Sequence, residues 1–245
     1  LGVAAATAAA QDWNLDWGGF FNSHVAFVDA SGAGLGATDF DGIGKLTTGE
    51  IIFTPSITLD NGLTFGVNVQ YEAQNNGGGA AGIDESYMTI SSDTFGLLIL
   101  GGENSAGYLL STGAAGVTSM SVNSPSISAF VPVTPTAVST VRNSMFSSFT
   151  EVAQNNDVPR ITYMTPDFNG LTVGVSYARN GSVAGAITQS NGVTAGQIND
   201  IFDIGVNYSG SFGTTDVVLS ARYGTGDIQG GAVTSDPETW GVGAN

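Results

Sequence analysis

Cysteine is absent from this chain of 245 residues, and positive charge is scarce. The absence of cysteine excludes a disulfide framework and thiolate chemistry. Five residues are basic against 21 acidic ones, which gives a net charge of −16 at pH 7. Because a nucleic-acid binder needs a basic face to neutralise phosphates, we expect no nucleic-acid partner.

Long hydrophobic runs are also lacking. No segment approaches the roughly 18 consecutive apolar residues that a transmembrane helix needs. Such a chain is either a soluble protein or a membrane β-barrel, whose alternating strands escape a hydropathy scan. The composition, with 42% hydrophobic and 11% charged residues, does not decide between these alternatives.

Motifs for catalysis are missing as well. His24 is the single histidine, so a histidine-based metal cluster cannot form. No G-x-S-x-G elbow stands in a strand–turn–helix setting. We therefore expect no enzymatic activity and no resident cofactor. The one metal hypothesis is calcium at external loops, with Asp39, Asp41 and Asp84 as ligands, although the EF-hand spacing is absent.

Strict alternation of apolar and polar residues is the strongest pattern present. In the segment 63–73, LTFGVNVQYEA, every odd position is apolar and no even position is. Alternation with period 2 predicts a strand with one apolar and one polar face. Similar or weaker patterns predict about ten strands in all: 13–28, 50–59, 63–73, 86–92, 97–102, 158–165, 171–178, 202–208, 216–223 and 238–244. Pro55 cannot donate a ladder hydrogen bond and predicts a bulge.

The predicted connections alternate between short and long. Short turns such as 60–62 and 166–170 carry Asp, Asn, Gly or Pro, while long loops span 29–49, 74–84, 103–157, 179–201 and 225–237. Aromatic residues stand near both kinds of connection. Outer-membrane barrels have short turns on one side, long loops on the other and aromatic girdles at both interfaces.

The two ends of the chain predict a fragment. Residues 1–10, LGVAAATAAA, are small and apolar and end in an A-x-A-like site, so they are interpreted as the remnant of a signal peptide. Residues 11–245 are then the N-terminal part of a single barrel domain whose C-terminal strands are missing.

Three runs of sequence resemble one family. They are Asp60-Asn61-Gly62-Leu63-Thr64-Phe65-Gly66, the stretch from Ile83-Asp84-Glu85-Ser86-Tyr87 to Gly102-Glu103-Asn104-Ser105-Ala106-Gly107-Tyr108-Leu109, and Arg160-Ile161-Thr162-Tyr163 through Pro166-Asp167-Phe168-Asn169-Gly170 to Tyr177. In this order they are similar to the early hairpins of alphaproteobacterial general diffusion porins.

The resemblance implies an all-β fold: a sixteen-stranded antiparallel transmembrane barrel of the outer membrane, a homotrimer in the lipid bilayer. It implies passive diffusion of small hydrophilic solutes and ions through a water-filled pore. It also implies that the long loop 103–157 folds inward to narrow that pore. Here the loop departs from the pattern, because 121–148 is mostly Ser, Thr, Val and Pro with Arg142 as its only charge.

Charged residues on the predicted wet faces and in the long loop are candidates for the pore lining and constriction. They are Glu50, Glu72, Glu85, Glu103, Arg142, Glu151, Asp157, Arg160, Asp203, Asp216 and Arg222. The acidic excess leads us to expect a weak preference for cations. Wall arginines that face acidic loop groups would produce a transverse field in the pore.

Two other classes of protein remain open from the sequence. A secreted or surface-exposed structural or adhesive β-protein without a pore would also explain the glycine, serine and acidity. A soluble barrel enzyme is the other alternative, and the lack of a catalytic motif argues against it. The adhesive protein predicts that both strand faces meet either a core or water, with no outward apolar belt.

Overall fold

The computed structural model describes residues 12–30, 40–75, 82–113, 151–181, 195–230 and 235–245. The described residues form eleven strands in one sheet and one short helix. The elements are β1 (Trp17–Ala30), β2 (Phe40–Phe53), β3 (Ser56–Thr58), β4 (Thr64–Asn75), β5 (Ile83–Ser92), β6 (Gly96–Gly102), α1 (Ala106–Leu109), β7 (Pro159–Met164), β8 (Leu171–Asn180), β9 (Gln197–Phe212), β10 (Thr215–Gln229) and β11 (Glu238–Ala244).

The strands form an antiparallel meander in chain order. The order across the sheet is β1-β2-β4-β5-β6-β7-β8-β9-β10-β11. The short strand β3 pairs with β4, on the same side of β4 as β2. The registers are long: fourteen residue pairs join β1 to β2, from Trp17↔Phe53 to Ala30↔Phe40. The predicted all-β antiparallel fold is confirmed, whereas the number of sixteen strands stays a prediction.

Two predicted boundaries near the N-terminus are wrong. The loop expected at 29–49 is largely strand, since β2 begins at Phe40. The first half of β2 shows no clear alternation in the sequence, because Gly42 and Gly44 give no apolar or polar signal. The single strand expected at 50–59 is instead interrupted after Phe53, and Pro55, which has no N–H, lies in the gap before β3.

The short turns form where their residues predicted them. Gly96 and Gly170 have positive φ angles of 87° and 90°. A Cβ at these glycines would come within 2.2 Å of the carbonyl oxygen of Met164 and 1.9 Å of that of Ser209, respectively. Glycine is therefore required both for the backbone angle and for the close approach of the neighbouring strand.

The polarity of the two faces of the sheet is the reverse of that in a soluble protein, because the exposed face is apolar and the covered face is polar. Large apolar side chains of one face are exposed, among them Trp17 (74%), Phe21 (68%), Val25 (70%), Phe27 (72%) and Ile43 (80%). Among the described residues, polar and charged side chains outnumber hydrophobic ones in the buried set. The exposed apolar face is a continuous belt, which in water would be a large liability.

Aromatic rings occupy both rims of this belt. Phe95, Phe168 and Phe212 lie exposed at the rim of short turns, which we call the short-turn rim. Tyr71, Tyr177 and Tyr223 lie exposed towards the opposite rim, which we call the long-loop rim. Such girdles are typical of side chains at the boundary between hydrocarbon and water.

No helix within the described parts of the chain is long and apolar enough to cross a membrane.

The opposite polarity of the two faces predicts opposite responses to charge at adjacent residues of β4. Val69 pairs with the exposed Phe53 on the apolar face, whereas Asn68 pairs with Tyr87 on the inner face. Val69→Arg should destabilise the folded protein in lipid vesicles by about 2–4 kcal/mol, as arginine does at the middle of a bilayer. Asn68→Arg, the matched control on the inner face, should cost clearly less, because that face is lined by polar and charged side chains. Urea unfolding measures both, and equal losses would contradict the assignment of faces.

Candidate functional site

The chain after β6 turns inward and lies on the polar face of the sheet. We call residues 103–113 the inner segment. Its helix α1 contacts β7, β8, β9 and β10. Ser105 caps the helix, because its Oγ accepts a hydrogen bond of 3.1 Å from the N–H of Tyr108. The long loop therefore begins as an infolded one, as expected.

Paired glycines on β8 and β9 let α1 approach the sheet. Gly174 and Gly205 are opposite each other in the register. A Cβ on Gly205 would lie 2.6 Å from the carbonyl oxygen of Ala106, and one on Gly174 would lie 3.1 Å from the Ala106 Cβ. The two glycines thus form a cradle for the helix that a larger residue would fill.

Hydrogen bonds attach the inner segment to three strands in succession. The Ala106 N–H donates to Ser176 Oγ of β8 at 3.1 Å. The carbonyl of Leu110 accepts from Asn207 Nδ2 of β9 at 2.9 Å. The Thr112 N–H then donates to Ser220 Oγ of β10 at 2.9 Å. The segment therefore crosses the inner face at a defined position.

The chain returns to the sheet through residues 151–158, which we call the return segment. Its apolar residues join a small buried cluster made of Val152, Val158, Ala178, Ile198 and Ile201. Gln154 adds two bonds to the β9 region: its amide donates to the Gly196 carbonyl at 2.9 Å, and its oxygen accepts from the Ile198 N–H at 3.1 Å. Both ends of the loop are thus fixed near β9.

Arg222 of β10 lies buried between two carboxylates. Its Nη2 is 3.6 Å from Glu151 Oε1 and 3.9 Å from Asp203 Oδ1. The side chain of Arg222 is 6% exposed, and those of both acids are 0% exposed. Asp203 also accepts a hydrogen bond of 2.8 Å from Asn155 Nδ2. These charges therefore meet one another beneath the loop rather than an open surface.

Arg160 of β7 is buried too, and it binds backbone rather than carboxylate. Its Nε donates to the carbonyl of Glu103 at 2.6 Å, and its Nη2 donates to the carbonyl of Asn155. A guanidinium has several donors in a fixed plane, so one arginine can join two carbonyls. Arg160 consequently connects the inner segment to the return segment.

Two groups of carboxylates line the inner face near β2, β4, β5 and β6. In the first group the carboxylate oxygens of Glu50, Glu72 and Asp84 lie within 4.8 Å of one another, and all three residues are half-buried. In the second group the same holds for Glu85, Glu103 and Asp157. Oxygen clusters of this kind suit hard cations such as Ca²⁺.

Polar partners hold the second group in place. Glu85 accepts hydrogen bonds from Gln70 Nε2 at 2.5 Å and from Asn104 Nδ2 at 2.9 Å. Glu103 Oε1 accepts from the N–H of Asn104 at 2.7 Å. The group therefore ties β4 and β5 to the start of the inner segment.

The calcium ligands expected from the sequence are not brought together. Asp84 lies on the inner face with Glu50 and Glu72. Asp41 pairs with Asp29 in the register, so its side chain follows Ile43 and Phe27 on the outer face. Asp39 lies outside the described residues.

The remaining candidates lie elsewhere. Asp216 is exposed at the short-turn rim, where Ser211 Oγ donates to its carboxylate at 2.6 Å. Arg142 lies outside the described residues. Sequence reasoning missed Ser105, Ser176, Asn155 and the paired glycines as parts of the site, because their roles depend on contacts between distant elements.

An antiparallel sheet with an apolar outer face, a polar inner face and an infolded loop defines the class of outer-membrane β-barrels. The model of the Gram-negative porin family matches residues 1–245, and the chain belongs to this family. The protein is therefore an outer-membrane β-barrel protein. The adhesive alternative is not favoured, while the alphaproteobacterial subgroup stays a prediction.

One solved porin structure shares the fold, and a second outer-membrane protein aligns more weakly. An anion-selective porin from Comamonas acidovorans aligns with 95% of this chain and 63% of its own length, with a TM-score of 0.59 and 16% sequence identity. The in-vitro folded outer membrane protein OmpT of Vibrio cholerae, in trimer form, aligns over 95% of this chain and 72% of its own, with a TM-score of 0.45 and 10% identity. Among curated proteins, no relative matches significantly.

The glycine cradle predicts a specific sensitivity to added bulk. Gly205→Ala places a Cβ 2.6 Å from the Ala106 carbonyl oxygen, which is too close. The substitution should therefore push the inner segment off the sheet and lower the stability of its docked position by about 1–3 kcal/mol. Hydrogen–deuterium exchange should then become faster in the amides of 106–112. Gly18→Ala is the control, because a Cβ there meets nothing within 4 Å. Unchanged exchange in the Gly205 variant would show that the cradle does not hold the segment.

Proposed function

We propose that the protein forms a water-filled channel in the outer membrane for the passive diffusion of small hydrophilic solutes and ions. The observation that carries this proposal is the polar inner face crossed by an anchored loop segment, opposite an apolar belt. A closed wall keeps hydrocarbon out, and a fixed constriction sets which solutes pass. Because the chain spans 63% of the length of the Comamonas porin, the channel is proposed for the whole protein.

We also propose a weak preference for cations. Within the described parts of the chain, Arg160 and Arg222 are the arginines of the inner face, and both are buried and engaged with the loop. The carboxylates of Glu50, Glu72 and Asp84 are half-buried on the wall, so their charge acts towards the lumen. A ring or patch of carboxylates favours cations in a pore. The Comamonas protein is described as anion-selective, but at 16% identity its likeness concerns the fold.

The assembly is proposed to be a homotrimer in the outer-membrane bilayer, as the family resemblance implies. The transverse field expected from wall arginines takes a different form in this proposal. Its negative side is the carboxylate wall of β2, β4 and β5. The opposite side is the region of Arg160 and Arg222, where Glu151 and Asp203 offset much of the positive charge.

Single-channel recording tests the proposed channel. The full-length protein, refolded in detergent and added to a planar bilayer, should give discrete ohmic steps in potassium chloride. The conductance should scale with salt concentration, as for a water-filled pore. A protein that inserts into the bilayer and passes no current would refute the channel.

Charge removal tests the cation preference. Glu50→Gln with Glu72→Gln removes two wall charges, so the reversal potential in a salt gradient should move towards that of a non-selective pore. Asp60→Asn with Asp93→Asn removes the same charge at exposed turns of the short-turn rim and serves as the control. An anion-selective parent channel, or equal shifts in both variants, would contradict the assignment.

A further inference from the structure

The two ends of the long loop meet at one buried carboxylate. Glu151 begins the return segment, and its Oε1 accepts a hydrogen bond of 3.2 Å from Ser105 Oγ. The two residues are 46 positions apart in the chain. The same oxygen lies 3.6 Å from Nη2 of Arg222 on β10. Through this one oxygen, Glu151 of the return segment contacts both Ser105 at the start of the loop and Arg222 on the barrel wall.

We propose that Glu151 is a positioning residue that sets the width of the constriction by tying both ends of the loop to the wall. The inference rests on the proposed channel function and goes beyond it, because it assigns to one residue the position of the narrowing element. Glu151 itself is 0% exposed and contacts no passing solute. Its effect on transport is thus exerted through the inner segment.

Charge explains why a carboxylate is needed at this position. Arg222 is 6% exposed, and its Nη2 has no hydrogen-bond partner, so its charge is balanced by the two nearby acids. Asp203, the other acid, is 3.9 Å away and is also engaged with Asn155. Breaking a buried ion pair by neutralising one partner is costly, because the other charge is left in a poorly solvated site.

Arg160 provides a second connection between the two ends of the loop, and this limits the effect expected from neutralising Glu151. Arg160 joins the carbonyls of Glu103 and Asn155, so it also connects the two ends of the loop. Its two hydrogen bonds go to main-chain carbonyls, so the side chain of Glu151 takes no direct part in them. Neutralising Glu151 should therefore loosen the loop rather than detach it, because Arg160 and the hydrogen bonds of the inner segment to β8, β9 and β10 remain.

The absence of native cysteine allows a clean spin-label test. A label at Gly113→Cys, where a Cβ meets nothing within 4 Å, reports the motion of the inner segment in the full-length protein. In Glu151→Gln the label should become more mobile and the single-channel conductance should rise. We expect the ratio of docked to released segment to fall about tenfold, which corresponds to about 1.4 kcal/mol.

Matched controls separate this role from a general loss of charge. Glu238→Gln removes the same charge from a carboxylate that accepts a hydroxyl hydrogen bond from Tyr223, but on the outer face. Ser105→Ala should reproduce part of the Glu151→Gln effect, whereas Ser211→Ala removes a serine–carboxylate bond at the short-turn rim and should not. Glu151→Asp keeps the charge and should restore part of the parent conductance.

The outcomes are distinct. Parent-like label mobility and conductance in both Glu151→Gln and Ser105→Ala would overturn the inference. If Glu151→Gln does not fold, Glu151→Asp decides, because it keeps the charge and shortens the reach of the carboxylate to Ser105 and Arg222 by one methylene. Parent-like label mobility and conductance in Glu151→Asp would then overturn the inference, since Ser105→Ala also removes the cap of α1. If the parent inserts and passes no current, the proposed channel fails, while label mobility still decides whether Glu151 holds the segment.

Discussion

The structure depends on one constraint: a backbone N–H or C=O that faces hydrocarbon has to find its partner within the protein. A meander of long antiparallel strands meets this constraint, because each described strand pairs with its chain neighbour. Backbone pairing leaves the side chains of one face free to contact hydrocarbon and those of the other face free to contact water. The apolar belt and the polar inner face follow from that division, and neither face resembles the core of a soluble domain.

The inner face has to solve a second problem, which is to hold a long loop without a hydrophobic core of ordinary size. The buried apolar cluster around Val152 and Ile201 is small. Most of the anchoring is polar: serine and asparagine side chains bind loop backbone, Arg160 joins the two loop ends, and Arg222 lies beside Glu151 of the return segment. Such bonds are directional, so they fix the position of the loop as well as its stability.

The fold was largely predictable because its signal is local. Alternation over 63–73 identifies a strand without knowledge of its partners, and turn residues such as Asn169 and Gly170 mark the short connections. The first half of β2 escaped because its glycines carry no polarity. The site was less predictable: Glu151 was a candidate because of its charge, but Ser105 is unremarkable in the sequence, and only the fold brings the two together across 46 positions. The charged residues were identifiable, but their separation into anchors and wall depends on burial.

That separation explains how a chain with so few basic residues can still place them where charge matters. In the proposed channel, an arginine free in the lumen would attract anions and offset the carboxylates of the wall. Arg160 and Arg222 are instead covered by the loop, with their donors directed at its carbonyls and at Glu151 and Asp203. The low dielectric of a buried site strengthens these contacts. In the proposed channel, the carboxylates of Glu151 and Asp203 offset the positive charge of Arg222 beside them, so this arginine contributes little to the field of the pore.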